Sequence, residues 1–158
     1  MSAPIDVRRA SLAERVVQDL IAALNRELDA RYPEEGANHF RLDASELEDG
    51  SGALLVAYDG DEPLGCGAIR CLDGETAEVK RMYVADAARG RGVGRLLLEA
   101  LEAEARRLGR TRLVLETGDR QHEAVGLYTR AGFTKAAPWG EYIDSPLSLC
   151  MEKRLERP

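Results

Sequence analysis

The chain has 158 residues, of which 44% are hydrophobic and 32% charged, and its formal net charge is −6. This length fits one hydrophobic core, so we expect a single domain over residues 1–158. The negative charge excludes nucleic acid as the main partner, because that kind of binding needs a basic surface. No apolar run approaches the roughly 18 residues that span a bilayer, so the sequence predicts no membrane association.

Three cysteines, Cys66, Cys71 and Cys150, are present in no metal-ligand spacing. Such cysteines are typical of reduced, packed thiols in a protein of a reducing compartment. Residues 1–6 lack the basic and apolar regions of a signal peptide. We therefore expect a cytoplasmic protein without a metal site.

The first half of the chain predicts a short strand, a helix and an antiparallel meander. Ile5 and Val7 alternate with polar residues, which is typical of a strand. Ser11 is expected to cap a helix with apolar positions at helical spacing, which ends before Pro33 because the residue preceding proline disfavours helical angles. Three further strands are predicted at residues 53–58, 65–71 and 76–84.

The segments that connect the elements of this half also contain residues typical of turns. Asp59-Gly60 and Asp73-Gly74 separate the three strands, and Asp-Gly pairs favour tight hairpin turns with positive φ. Residues 34–41 are expected to form a loop and residues 45–48 one helical turn.

Glycines mark the boundaries of the second half. A helix is predicted at residues 91–108, with Gly109 following its last turn. The remaining elements are predicted as a strand at 111–116, a helix at 121–130 closed by Gly132, and strands at 133–136 and 147–152. A strand–helix–strand unit with hairpins around it predicts a mixed α/β sheet.

The most informative segment is Arg-Gly-Arg-Gly-Val-Gly at residues 89–94, directly before the second helix. Glycines there let the backbone approach a ligand and leave N–H groups pointing outward. Together with the helix dipole and the flanking arginines, these donors suit a pyrophosphate. The segment is not a Walker loop, because no Lys-Ser/Thr follows, and its glycine spacing differs from the dinucleotide fingerprint. The alternative is a tight strand-to-helix turn with solvated arginines.

Several fragments in this order resemble the GNAT superfamily of acetyl-CoA-dependent N-acetyltransferases. They are the segments 78–84 and 115–118, the family pattern Gln/Arg-x-x-Gly-x-Gly/Ala at Arg89, Gly92 and Gly94, and the segment 124–133. The resemblance runs from about Ile5 to Lys153. It implies an α/β fold with a GNAT-like mixed, mostly antiparallel central sheet whose middle strands splay apart and are flanked by helices. It also implies that acetyl-CoA, the acetyl-donor co-substrate, lies between the splayed strands.

The resemblance further implies a set of acetyl-CoA contacts. Backbone groups at the strand end would bind the pantetheine arm, and N–H groups of the glycine turn would bind the pyrophosphate. Gln121 stands where many members carry an asparagine that contacts CoA. The implied contacts are Met82, Tyr83, Val84, Arg89, Gly90, Arg91, Gly92, Val93, Gly94, Arg95 and Gln121.

Two catalytic residues are implied in the same way. Tyr128 matches the family's tyrosine near the thioester sulfur, where a hydroxyl stabilises the leaving thiolate. Glu78 falls where some members carry a base, which removes a proton from the amine. Glu116, at the end of the other splayed strand, and a chain of waters are alternatives for the base. The structural alternatives are a packed Tyr128 and a Glu78 paired with Lys80 or with a neighbouring strand.

The acceptor is expected between the loop after the first helix and the loop before the last strand. The candidate substrate-binding residues are Glu34, Asn38, His39, Glu141 and Tyr142. The acidic bias of these loops predicts a small cationic amine, and an amino acid is the alternative if Arg41 or Asn38 binds its carboxylate. We predict acetyl transfer to a primary amine of a small molecule by direct attack in a ternary complex, in a monomer or homodimer. An acyl-CoA-binding regulatory module without turnover and a protein N-acetyltransferase are the alternatives.

Overall fold

The computed structural model describes residues 4–33, 47 and 50–156, except for the side chain of Glu141. Within these residues the strands are β1 (Ile5–Arg9), β2 (Gly52–Asp59), β3 (Glu62–Cys71), β4 (Thr76–Val84), β5 (Arg112–Gly118), β6 (Thr134–Lys135) and β7 (Ser148–Arg154). The helices are α1 (Arg15–Arg31), α2 (Val93–Arg107) and α3 (His122–Arg130). None of these helices has the length and apolar character needed to cross a membrane.

All seven strands join one sheet in the order β1-β2-β3-β4-β5-β7-β6. Neighbouring strands are antiparallel except for β4 and β5, which pair in parallel and are connected through α2. A parallel pair needs a long crossover connection, and the helix supplies it. The mixed, mostly antiparallel sheet predicted from the sequence is therefore confirmed.

Helices cover both faces of the sheet. Leu97 and Leu101 of α2 are fully buried in one apolar cluster that also holds Leu55 of β2. The neighbouring Leu54 belongs to a second cluster, with Val17 of α1, on the opposite face. This division follows from the alternation of side chains along a strand. Each of these large side chains contributes about 1.5–3 kcal/mol by leaving water.

The sheet opens in its middle. The β4–β5 ladder runs only from Thr76↔Arg112 to Val79↔Leu115, although both strands continue beyond it. Just past this point the β3–β4 register shifts, and Arg81 has a φ of +57°. An extra residue of this kind is a β-bulge, which bends its strand and increases the local twist. The bulge turns the end of β4 away from β5, which confirms the splayed middle strands.

The first helix begins later than predicted. Its first residue is Arg15 and its N-cap is Glu14, not Ser11. The Ser11 hydroxyl accepts the N–H of Ala13 at 3.2 Å, and the Ser11 N–H donates to the Glu14 carboxylate at 2.5 Å. Serine readily forms such local bonds, so it sits in the turn that precedes the helix.

The second helix also begins later, at Val93, because Gly92 has a φ of +78° and lies outside the right-handed region. Its predicted end is confirmed. The N–H of Gly109 donates to the carbonyl of Arg106, and that of Arg110 to the carbonyl of Ala105. These two bonds form a Schellman motif, which satisfies carbonyls left over at the helix end.

One of the two predicted Asp-Gly turns differs from expectation. Gly60 has a positive φ of +61°, but Gly74 does not have a positive φ. The Asp73 carboxylate accepts the N–H groups of Glu75 and Thr76, each at 2.8 Å. This side chain closes the turn, so the turn does not need a left-handed residue. The predicted loop and helical turn at 34–41 and 45–48 lie outside the described residues, apart from residue 47.

Candidate active site

A groove of about 800 Å³ lies beside the end of β4, beyond its ladder with β5. Its walls come from the end of β4, the glycine turn, α2, α3 and α1. The groove brings together most of the acetyl-CoA contacts implied by the sequence, and it includes the implied catalytic tyrosine. These residues are Met82, Tyr83, Val84, Arg89, Gly90, Gly92, Val93, Gly94, Arg95, Gln121 and Tyr128.

Sequence reasoning missed the contribution of α1 to this groove. Its lining residues are Leu24, Glu27 and Arg31. Glu27 and Arg31 form an ion pair of 2.8 Å one helical turn apart. Their i,i+4 spacing was the available signal, because such pairs lie on one face of a helix.

The glycine turn presents unused backbone donors to the groove. From Gly90 to Arg95, no backbone N–H donates to another group in the described part of the chain. Gly92 is the N-cap of α2, and the first turn of that helix carries no acidic side chain. Free N–H groups at the positive end of a helix dipole favour an anion. The turn therefore has the chemistry of a phosphate cradle.

The arginines of the turn are bound by nearby carboxylates. Arg91 donates to Asp59 at 3.0 Å, which holds its side chain outside the groove. Arg95 pairs with Glu99 at 3.0 Å on the exposed side of α2. In this structure the side chains of Arg91 and Arg95 are therefore held by carboxylates, whereas the N–H groups of the turn have no partner in the described part of the chain.

Tyr128 lies on α3 with only 5% of its surface exposed. Its carbonyl accepts the N–H of Phe133 at 3.0 Å, and the two rings pack edge to face with centroids 5.8 Å apart. The Tyr128 hydroxyl makes no hydrogen bond to the described part of the chain. Burial, and to a smaller extent the charge of Glu116, raises the pKa of this hydroxyl. It therefore remains protonated and able to donate a hydrogen bond at neutral pH.

Glu78 lies outside the groove and is 1% exposed. Arg70 Nε donates to its Oε1 at 2.8 Å, and the Tyr142 hydroxyl donates to its Oε2. Tyr142 is itself buried, and its ring packs edge to face on Trp139 with centroids 5.2 Å apart. The structure thus brings Glu78 and Tyr142 together, in a buried contact that joins β4 to the segment before β7.

Glu116 is the first residue of β5 beyond the ladder with β4. It is partly buried, and its charge raises the pKa of Tyr128, Tyr32 and Cys150, in each case after the larger effect of burial. On β5 it is the register partner of Cys150 of β7. Glu116 is therefore a carboxylate at the opening of the sheet whose charge acts on the hydroxyl of Tyr128.

The end of α1 is anchored beside this opening. The Tyr32 hydroxyl accepts the N–H of Arg120 at 2.6 Å, and Arg120 Nη1 donates to the carbonyl of Arg31 at 2.8 Å. These contacts attach α1 to the connection between β5 and α3. The predicted acceptor residues Glu34, Asn38 and His39, and the side chain of Glu141, lie outside the described part of the chain.

Comparisons with known proteins agree with this arrangement. The sequence model described as "Acetyltransferase (GNAT) family" matches residues 13–133. An "IAA acetyltransferase" of Azospirillum brasilense is 45% identical over 149 residues, which cover 94% of this chain and 95% of the relative. "Uncharacterized N-acetyltransferase YjgM" of Escherichia coli is 31% identical over 136 residues, which cover 84% of this chain and 77% of that protein.

Solved structures share the fold over nearly the whole chain. An acyl-CoA N-acyltransferase structure from Klebsiella pneumoniae superposes with a TM-score of 0.84 at 34% identity, covering 96% of this chain and 98% of that one. A GNAT family acetyltransferase of Elizabethkingia anophelis, crystallised with acetyl-CoA bound, superposes with a TM-score of 0.69 at 21% identity and covers 96% of this chain and 98% of that one. At that lower identity the likeness concerns the fold.

Proposed function

Because the chain belongs to the GNAT family of acetyltransferases, we propose that it acetylates an amine of a small molecule by direct attack in a ternary complex. Membership confirms the predicted acyltransferase class and acetyl-CoA as the donor. The finer proposal is carried by the groove, which combines a cradle of free N–H groups with the hydroxyl of a buried tyrosine.

The residues of the groove fit acetyl-CoA. The N–H groups of the glycine turn would hold the diphosphate, and the edge of β4 beyond Val79 faces the opening without pairing to β5. Backbone donors and acceptors on that edge suit the amides of a pantetheine arm. When bound, acetyl-CoA supplies the thioester whose C–S bond breaks as the new N–C bond forms.

Tyr128 would stabilise the leaving sulfur by donating a hydrogen bond to it. The reference pKa values are about 8.5 for a thiol and about 10 for a tyrosine, so complete proton transfer to the thiolate is uphill. The raised pKa of Tyr128 makes that transfer less favourable still. A hydrogen bond that strengthens as negative charge develops on sulfur is therefore the role proposed here.

Removal of the amine proton is proposed for Glu116, directly or through water. A base must reach the reacting amine, and Glu116 is the first residue of β5 past its ladder with β4, where the sheet opens. Glu78 is better suited to hold the Tyr142 segment, since both of its oxygens accept bonds from protein groups. The role of Glu78 as the base stays a prediction, which the variants Glu78→Gln and Glu116→Gln test.

The proposed acceptor is a small amine. The relative named IAA acetyltransferase supports a small molecule over a protein. The preference for a cationic amine stays a prediction, because most of the acidic loop residues behind it lie outside the described part of the chain. Activity measured with polyamines, amino sugars and amino acids would show which class of amine is the acceptor. IAA is included in this panel because the relative is named for it.

The proposal is tested by thiol release from acetyl-CoA across this panel, with Tyr128→Phe and the control Tyr58→Phe. Tyr58 carries the same hydroxyl on β2 outside the groove. Loss of one hydrogen bond to developing charge should lower the kcat of Tyr128→Phe about 10- to 100-fold, with a KM for acetyl-CoA within about twofold of wild type. A wild-type kcat in Tyr128→Phe, with chemistry rate-limiting, would remove Tyr128 from the mechanism.

A further inference from the structure

Arg89, the first residue of the family pattern in the glycine turn, is surrounded by protein acceptors. Its Nε donates to the carbonyl of Val84 at 3.2 Å, and its Nη2 donates to both Glu27 oxygens at 2.9 and 3.0 Å. Its Nη1 lies 2.8 Å from the Asp86 carboxylate. Every nitrogen of the guanidinium thus faces a group of the protein, and the side chain joins the end of β4 to α1.

Glu27 continues this connection across α1. Its Oε1 also lies 2.8 Å from Arg31 Nη2, and Arg31 Nη1 donates to Gln121 Oε1 at 3.3 Å. Gln121 is the N-cap residue of α3. We call the four side chains Arg89, Glu27, Arg31 and Gln121 the clasp. All four line the groove, and together they link its β4 side to its α3 side.

We propose that the clasp holds α1 over the opening between β4 and β5, and that Glu27 is a positioning residue for the acetyl donor. Arg89 then acts by binding Glu27, not by contacting the diphosphate. The inference rests on the proposed function, because it assigns acetyl-CoA to this groove. It gives a role to a residue of α1 that lies outside the family's glycine-turn pattern.

The arrangement of charges supports this role. Glu27 and Arg89 have 20% and 30% of their side chains exposed, so their contact is partly shielded from water. A charge-assisted hydrogen bond in such a place is about twice as strong as a neutral one. Drawing Arg89 onto a diphosphate would break this contact, whereas the N–H groups of the turn bind an anion without disturbing the clasp.

The two roles of Arg89 make opposite demands on Glu27. If Glu27 positions α1, its carboxylate favours binding of the donor. If Arg89 instead binds the diphosphate, Glu27 competes for the same guanidinium and opposes binding. The sign of the effect of Glu27→Gln therefore distinguishes the two roles.

The experiment measures the Kd of CoA by titration calorimetry at 15 °C for wild type, Glu27→Gln, Arg89→Gln and the double variant. The matched control is Asp19→Asn, which removes a carboxylate from the exposed Arg15–Asp19 pair on the same helix. We expect Glu27→Gln and Arg89→Gln each to raise the Kd about 3- to 10-fold, and the double variant to resemble either single one, because neighbours in one network do not add. Asp19→Asn should stay within about twofold of wild type.

A Kd of CoA that is unchanged or lower in Glu27→Gln would overturn the inference. This variant alone is sufficient for the test, even if Arg89→Gln does not fold. A second readout is kcat/KM with S-acetylpantetheine, which lacks the diphosphate. If the clasp positions the donor, Glu27→Gln should also lower kcat/KM with S-acetylpantetheine. A decrease in kcat/KM that occurs only with acetyl-CoA would overturn the inference. Failure of the proposed function looks different, because wild type would then show no CoA binding or no turnover of any amine.

Discussion

Two carboxylates on neighbouring strands have different surroundings in this molecule. Glu78 is enclosed by Arg70 and Tyr142, whereas Glu116 lies partly exposed at the opening of the sheet. A buried carboxylate with paired oxygens is held in place by its partners, because the loss of one partner leaves an uncompensated charge. A base needs access to the proton that it removes. The burial of each residue, more than its type, is therefore the reason why we propose different roles for them.

Replacing each carboxylate by its amide tests this difference. We expect Glu116→Gln to lower kcat/KM about 100-fold, since it deletes the proposed base. Glu78→Gln should keep kcat/KM within about threefold of wild type and lower the free energy of unfolding by about 1–3 kcal/mol through its weaker hydrogen bonds. The measurements are kcat/KM and urea unfolding. A loss of kcat/KM of about 100-fold in Glu78→Gln, with Glu116→Gln close to wild type, would assign the base to Glu78.

The turn between β3 and β4 shows how one side chain defines the boundary of two strands. The N–H groups of Glu75 and Thr76 donate to the Asp73 carboxylate and lower its pKa. Folding therefore favours the charged form. Its contribution to stability is fully present above the ordinary pKa of about 3.9 and disappears as the pH falls through the lowered value.

We expect Asp73→Asn to be less stable than wild type at pH 6, and the difference to close as the pH falls below about 3.9. Asparagine keeps the shape and one acceptor but lacks the charge, so the comparison isolates the ionised form. Urea unfolding at several pH values measures the difference. Asp61→Asn, in the preceding turn, is the control for removing a surface charge. A stability difference that does not change between pH 6 and pH 2 would contradict the explanation.

Binding at the groove should be visible in the stability of the entire chain, because the groove combines β4, α1, α2 and α3. A ligand at 100 times its Kd stabilises the native state by about 2.7 kcal/mol. For a chain of this size that corresponds to a rise in Tm of about 5–10 °C. We expect this rise with acetyl-CoA, and its loss in Gly92→Asp, which places a carboxylate in the cradle.

Gly109→Asp is the matched control for this measurement. Gly92 and Gly109 both have a φ of +78° and open space around an added Cβ, so both variants experience similar backbone strain. Only Gly92 lies in the groove, whereas Gly109 follows the far end of α2. Gly109→Asp should keep the rise in Tm. The same acetyl-CoA stabilisation in Gly92→Asp as in wild type would contradict the cradle.

The approximate first and last residues of most helices and strands were predictable, because they depend on residues nearby in the sequence. The strand at Thr76–Val84 was predicted to the residue, and the glycines after α2 and α3 were correctly identified as their ends. Errors occurred where a side chain competed with the backbone, as at Ser11 and Asp73. The glycine turn and Tyr128 were recognisable because each belongs to a short, contiguous motif.

The sequence by itself determined the family, the order of the elements and the part of the groove formed by the end of β4, the glycine turn and α3, since each depends on residues close together in the chain. Only the tertiary structure decided the partners of single side chains. Glu78 meets Tyr142, and Glu27 meets Arg89, across 64 and 62 residues respectively. Such pairs depend on sheet register, on the bulge at Arg81 and on the packing of α1. No periodicity or motif encodes those distances, because they arise when separate elements come together.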